Sequence, residues 1–117
     1  GGYKVQGRDA DAALKLKADA LRLEEAGSFA LVLECVPESL AGEISRSLSI
    51  PVIGIGAGRE VDGQVLVLHD LLGLSGFNPR FARRYLDGAA LVKDAIDGYC
   101  RDVASGAFPS EAEAFVS

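Results

Sequence analysis

Apolar and polar positions change period several times along this chain, and the changes mark out its elements. From Asp9 to Ala26, Leu14, Ala18 and Leu21 make one apolar stripe and Ala13, Leu16, Ala20 and Leu23 its neighbour. That spacing predicts a helix with a broad buried face, capped by Asp9 or Asp11 and stopped by Gly27. "FALVLECV", residues 29–36, is a continuous apolar run between Gly27-Ser28 and Pro37. This is the form of a strand buried on both faces, as in a parallel sheet. Residues 37–48 predict a second helix, with Pro37 in its first turn and Leu40, Ile44 and Leu48 on one stripe. "IPVIGIGAG" reads as a second buried strand ending in glycines, Asp62-Gly63 as a turn, and "QVLVLHD" as a third strand. Residues 79–86 predict a short helix. Residues 89–105 predict a longer one, with Val92, Ile96, Tyr99 and Val103 on one face and Gly106 at its end. The tail "FPSEAEAFVS" has neither period and is expected to lie over the surface.

Strands alternating with helices imply an α/β fold with a parallel sheet, and no linker interrupts it, so residues 1–117 are expected to form a single partial domain. Three or four strands do not close a barrel. They make either a small open sheet or the later part of a (β/α)8 barrel.

Composition narrows the partners. Twelve Lys and Arg against 17 Asp and Glu give a net charge of −5. With no basic stripe, neither nucleic acid nor an anionic membrane is the expected partner. No apolar run approaches the ~20 residues that span a bilayer. Cys35 and Cys100 are too few for a disulfide scaffold or a zinc site. A cytoplasmic location is the expectation. Met is absent, and "GGYKVQGR" opens the chain as if in mid-sequence, so a fragment or processed piece is expected.

The chemistry concentrates at predicted strand ends. Glu34 is a carboxylate inside an apolar run, and carboxylates are rarely buried without a partner or a purpose. Alternation along the strand places Val32, Glu34 and Val36 on one face and Leu31, Leu33 and Cys35 on the other. Glu34 lies near the carboxyl end, where α/β folds carry their sites. An apolar setting would raise its pKa and suit it to act as a general base. The bland alternative is a Glu whose head reaches solvent or pairs with an Arg.

Gly54, Gly56 and Gly58 lack the third-glycine spacing and the following helix of a dinucleotide loop, so close backbone approach explains them better. His69-Asp70 could relay a proton or bind metal, but one His in the chain favours a loop-closing role. Tyr3, Lys4, Gln6 and Arg8 could bind an anion or complete a strand. Cys35 is expected to be an inert core thiol.

Five segments, "GGYKVQGR", "DALRLEEAGSFALVLECVP", "LSIPVIGIGAG", "DGQVLVLHDLLGL" and "YCRDVASGAFPSEAEAF", together resemble the ketopantoate hydroxymethyltransferase family, in the family's order and over the whole chain. The resemblance implies the carboxyl-terminal part of a (β/α)8 TIM barrel and a homo-decamer of two five-membered rings. It implies transfer of a one-carbon unit from 5,10-methylenetetrahydrofolate to α-ketoisovalerate, giving ketopantoate for pantothenate biosynthesis. It further implies that Mg²⁺ holds the α-keto acid and that the Glu of the family's LEXVP motif, here Glu34, removes the C3 proton. With Glu34 facing the barrel interior, Ile55, Val65 and Val67 become candidates to surround the substrate's isopropyl group; the alternative is plain barrel core.

The departures matter as much. Family members run to roughly twice this length, and their Mg²⁺ carboxylates, with a Lys and a His that contact the keto acid, lie upstream of "GGYKVQGR". No metal ligand is therefore expected in this chain. Where the family tail reads Glu-His-Ser-Phe, Ala112, Glu113, Ala114 and Phe115 stand here. Two classes of function follow. One is an enzyme part, inactive without its upstream half. The other is a non-catalytic half-barrel assembly module with Glu34 vestigial. Another enolate-forming α-keto-acid enzyme is a third possibility.

Overall fold

A computed structural model describes residues 3–117; Gly1 and Gly2, which open the first of the five segments, lie outside the described residues. The chain forms two compact units, divided between Leu66 and Val67.

In the first unit, α1 (Ala10–Glu25) starts where Asp9 Oδ1 accepts a hydrogen bond from the Ala12 amide at 2.9 Å. It stops at Gly27, whose φ of 101° is readily adopted only without a Cβ. β1 (Leu31–Glu34), α2 (Glu38–Ser47) and β2 (Val52–Ile55) follow, and β3 consists of Gly63–Gln64 alone. All pairing is parallel, in the order β1-β2-β3, with Leu31 opposite Val52 and Ile53 opposite Gly63. The α/β reading is met.

Both helices pack on one face of this sheet. Ala20 of α1, Leu40, Ala41 and Ile44 of α2, Leu33 and Val52 of the strands, and Val36 and Ala57 just beyond them form the core. Three carboxylates fasten the segments around it. Glu24 Oε1 accepts from the Ser49 and Ile50 amides, and Asp62 Oδ2 accepts from the Val52 amide at 2.8 Å. Glu38 Oε2 accepts from the Arg59 amide at 2.8 Å.

Several expectations need correction. The broad buried face of α1 is narrow: Ala13, Leu16 and Ala20 meet the core, whereas Leu14, Leu21 and Leu23 are exposed. β1 is covered on one face only, because helices lie on one side and Val32 and Glu34 on the other are exposed. Parity also ends at Glu34. Cys35 takes a left-handed φ of 53°, so both Cys35 and Val36 turn into the core instead of dividing between faces.

The run "QVLVLHD" is not one strand. The Val65 amide still reaches the Gly54 carbonyl at 3.0 Å, but β2 ends at Ile55 and Gly56 turns away with a φ of 65°. A strand needs a neighbour to pair with, and none continues there.

The second unit holds α3 (Leu68–Leu71) and α4 (Gly88–Ser105). The helix expected over residues 79–86 is absent; a turn closed by the Ala82 amide on the Pro79 carbonyl replaces it. α4 ends as expected at Gly106, with a φ of 81°. Among the described residues, no helix is long and apolar enough to cross a membrane.

Candidate active site

Glu34 is the last residue of β1 and stands opposite Ile55, the last of β2. Register partners in a sheet share a face. Val32, Glu34, Ile53 and Ile55 therefore lie on the face away from the two helices, and Glu34 is the sole carboxylate among them. Its side chain is exposed, so this chain's own residues do not supply the apolar surround expected of it.

Backbone bonds hold the turn after Glu34. The Cys35 amide donates to the Ile55 carbonyl at 2.9 Å and the Val36 amide to the Gly56 carbonyl at 3.1 Å. The Cys35 carbonyl accepts from the Gln6 amide at 2.8 Å, so the opening segment lies beside the end of β1. Burial pushes the Cys35 thiol above its ordinary pKa, and the neighbouring Glu34 charge adds to this. The thiol therefore stays protonated at neutral pH, as an inert core group does.

Of the predicted site residues, Glu34 and Ile55 are register partners, and the Val65 amide bonds to the carbonyl of Gly54, the residue before Ile55. Val67 falls in the second unit, as the residue that caps α3. His69 and Asp70 do not end a strand. They lie within α3, Asp70 buried and accepting from Ser75 Oγ at 3.4 Å, His69 exposed. A side chain turned inward beside one turned outward does not form a relay pair.

Gly54 and Gly58 behave as close-approach glycines. A Cβ on Gly54 would meet Val61 at 3.0 Å, and one on Gly58 would collide with the Glu38 side chain. Sequence reading missed Glu38. An acid in the first turn of a helix reads as a complement to the helix dipole, and its partner 21 residues away leaves no local signal. Among the described residues, no group of three or more His, Cys, Asp or Glu side chains could hold a metal ion. These residues do not fit a magnesium site.

A carboxylate at the carboxyl edge of a parallel sheet, beside apolar neighbours, defines the class: an α/β protein with a candidate acid–base site at its strand ends. The family model described as ketopantoate hydroxymethyltransferase matches residues 1–111, and the chain belongs to that family. It is similar to the 3-methyl-2-oxobutanoate hydroxymethyltransferase of Wolinella succinogenes, with 55% identity over 98% of this chain and 44% of that protein. Those of Chlorobaculum parvum and Bdellovibrio bacteriovorus are 54% and 53% identical, again over 98% of this chain. The chain spans less than half the length of each, 42% and 44% for these two.

Proposed function

We propose that this chain carries the base-bearing part of a 3-methyl-2-oxobutanoate hydroxymethyltransferase of pantothenate biosynthesis, the activity its relatives are named for. Glu34 takes the C3 proton of α-ketoisovalerate, and the electron pair left behind spreads onto the C2 carbonyl oxygen as an enolate. C3 then bonds to the methylene carbon of 5,10-methylenetetrahydrofolate. The two carbon–nitrogen bonds to that carbon break, and one water supplies the hydroxyl it carries in ketopantoate. The proton taken by Glu34 and the water's remaining proton go to the two nitrogens of tetrahydrofolate. Ile55 and Val65 are the proposed apolar lining around the isopropyl group.

The observation that carries this reading is the position of Glu34: last in its strand, on the face away from the helices, in a chain of this family. The sheet then belongs to the later part of a (β/α)8 barrel, in a homo-decameric cytoplasmic enzyme. Mg²⁺ and the folate are part of the reading, held by the part of the family's length that this chain does not span. Alone, the chain is expected not to turn over, because a carboxylate base needs an electrophile beside it to stabilise the enolate.

The test is Mg²⁺-dependent exchange of the C3 proton of α-ketoisovalerate in deuterated water, followed by NMR. It is run on the chain alone and with the remaining part of the Wolinella succinogenes relative added. Exchange only in the mixture, lost in Glu34→Gln while Mg²⁺ still binds, supports the reading. No exchange in a mixture shown to have assembled would make the chain a non-catalytic assembly module. Normal exchange in Glu34→Gln would remove Glu34 from the mechanism.

A further inference from the structure

The loop after β2, residues 56–62, is held from two sides by side chains. Glu38 Oε2, in the first turn of α2, accepts from the Arg59 amide at 2.8 Å. Gln64 Nε2, on β3, donates to the Gly58 carbonyl at 2.8 Å. Gly58, with a φ of 77°, is the seat of the first contact, since any Cβ there would occupy the volume of Glu38 Cβ and Cγ. The same loop begins where the Val36 amide meets the Gly56 carbonyl, two residues beyond Glu34. Glu38 itself is exposed and adds nothing to the core, so packing does not account for its placement.

From this geometry we infer that Glu38 is a positioning residue: it ties the loop after β2 to the helix that follows the Glu34 strand, so that both rim segments at the carboxyl ends of β1 and β2 move as one body with the base. The inference rests on the reading of Glu34 as that base. A ligand reaching Glu34 from the strand ends passes these two segments, 35–38 and 56–59. With the tie released, residues 56–59 keep the buried Ala57, the Gln64 contact and the Val36–Gly56 bond. The Arg59 end of the segment loses its anchor, and the orientation of substrate against Glu34 is less firmly set. A misplacement of about 1 Å costs on the order of a hundredfold in rate.

The test begins with amide hydrogen exchange in the whole chain. Losing a charge-assisted bond should speed exchange at the Arg59 amide by roughly tenfold in Glu38→Ala. Smaller increases should follow at the Cys35 and Val36 amides. Gly58→Ala should speed exchange at the Arg59 amide at least as much, because its Cβ would displace the Glu38 side chain and would sit at a strained φ of 77°. Glu38→Gln, which keeps an acceptor oxygen, should stay close to the parent. An unchanged Arg59 amide in Glu38→Ala, or a freed Arg59 with Cys35 and Val36 unaltered, would each overturn the inference.

In the assembled mixture, Glu38→Ala should lower the maximal rate of α-ketoisovalerate proton exchange per folded molecule, with Glu38→Gln restoring it. A lowered denaturation midpoint with an unchanged maximal rate would show a merely structural role and overturn the positioning claim. If the parent mixture fails to exchange substrate, the catalytic reading of Glu34 falls, and Glu38 loses its role as a positioning residue with it. The amide data would still decide whether the tie exists.

Discussion

The two compact units differ sharply in what they bury. Every buried apolar side chain among the described residues, from Ala20 to Ala57, belongs to the first unit. In the second, the buried residues are Asp70, Gly73 and Gly88, and the apolar face of α4 stands about half exposed at Val92, Ile96, Tyr99 and Val103. Yet the second unit obeys its local rules. Lys93 and Asp97 pair at 2.5 Å one turn apart, the Gly106 amide closes the end of α4, and Tyr99 meets Phe108 with ring centroids 5.5 Å apart. Local chemistry can thus specify a helix that buries almost nothing. Such a helix draws little from packing, the main source of helical stability in proteins.

The largest expected effect falls in the first unit. Ile44 is fully buried, so Ile44→Ala should cost about 2–5 kcal/mol, read as a lowered denaturation midpoint. Ile96→Ala is the matching cut in the second unit. At 57% exposure it should cost under about 0.5 kcal/mol. A cost near that of Ile44→Ala would break the contrast, by showing that the α4 face is covered in solution.

Next in size is a pair of glycines within the second unit. Gly73 and Gly106 both have positive φ, but a Cβ on Gly73 would collide with the Leu86 carbonyl, whereas Gly106 has open space. Gly73→Ala should disorder the bonds that run from the Tyr85 and Gly88 amides back to Leu71 and Leu72. Gly106→Ala should cost only the backbone strain, about 1 kcal/mol. Equal effects in thermal unfolding would mean that the 71–88 contacts do not hold the unit together.

The two cysteines give a chemical version of the same contrast. Under native conditions at neutral pH, Cys100 in the second unit should be alkylated and Cys35 spared, as mass spectrometry would show. Fast modification of Cys35 would mean that the first unit opens readily.

The smallest effect is expected in the tail. Ser110 donates to Glu113 Oε2 through its amide at 2.7 Å and its hydroxyl at 2.6 Å, and these bonds lower the Glu113 pKa. A lowered folded pKa contributes stability above the unfolded value, which is lost as the pH falls through the folded one. The Ser110 amide signal should therefore hold its position at neutral pH and move only below the ordinary carboxylate range. Movement near neutrality would deny the contact.

The sequence by itself determined what depends on neighbours along the chain. Asp9 and Gly27 bound α1, Leu40 and Ile44 set the inner face of α2, and Gly106 ends α4, because caps and helical faces are decided within a few residues. It also placed Glu34 at the carboxyl end of a strand, since Pro37 and the apolar run before it are local signals. Only the tertiary structure decided where β3 stops, because "QVLVL" is strand-like throughout yet loses its partner once Gly56 turns away. The same holds for the left-handed turn that sends Cys35 and Val36 inward together, for the division of Asp70 from His69, and for the Glu38–Arg59 bond. Each depends on a partner brought near by the fold, and periodicity carries no record of which distant backbone atom will arrive.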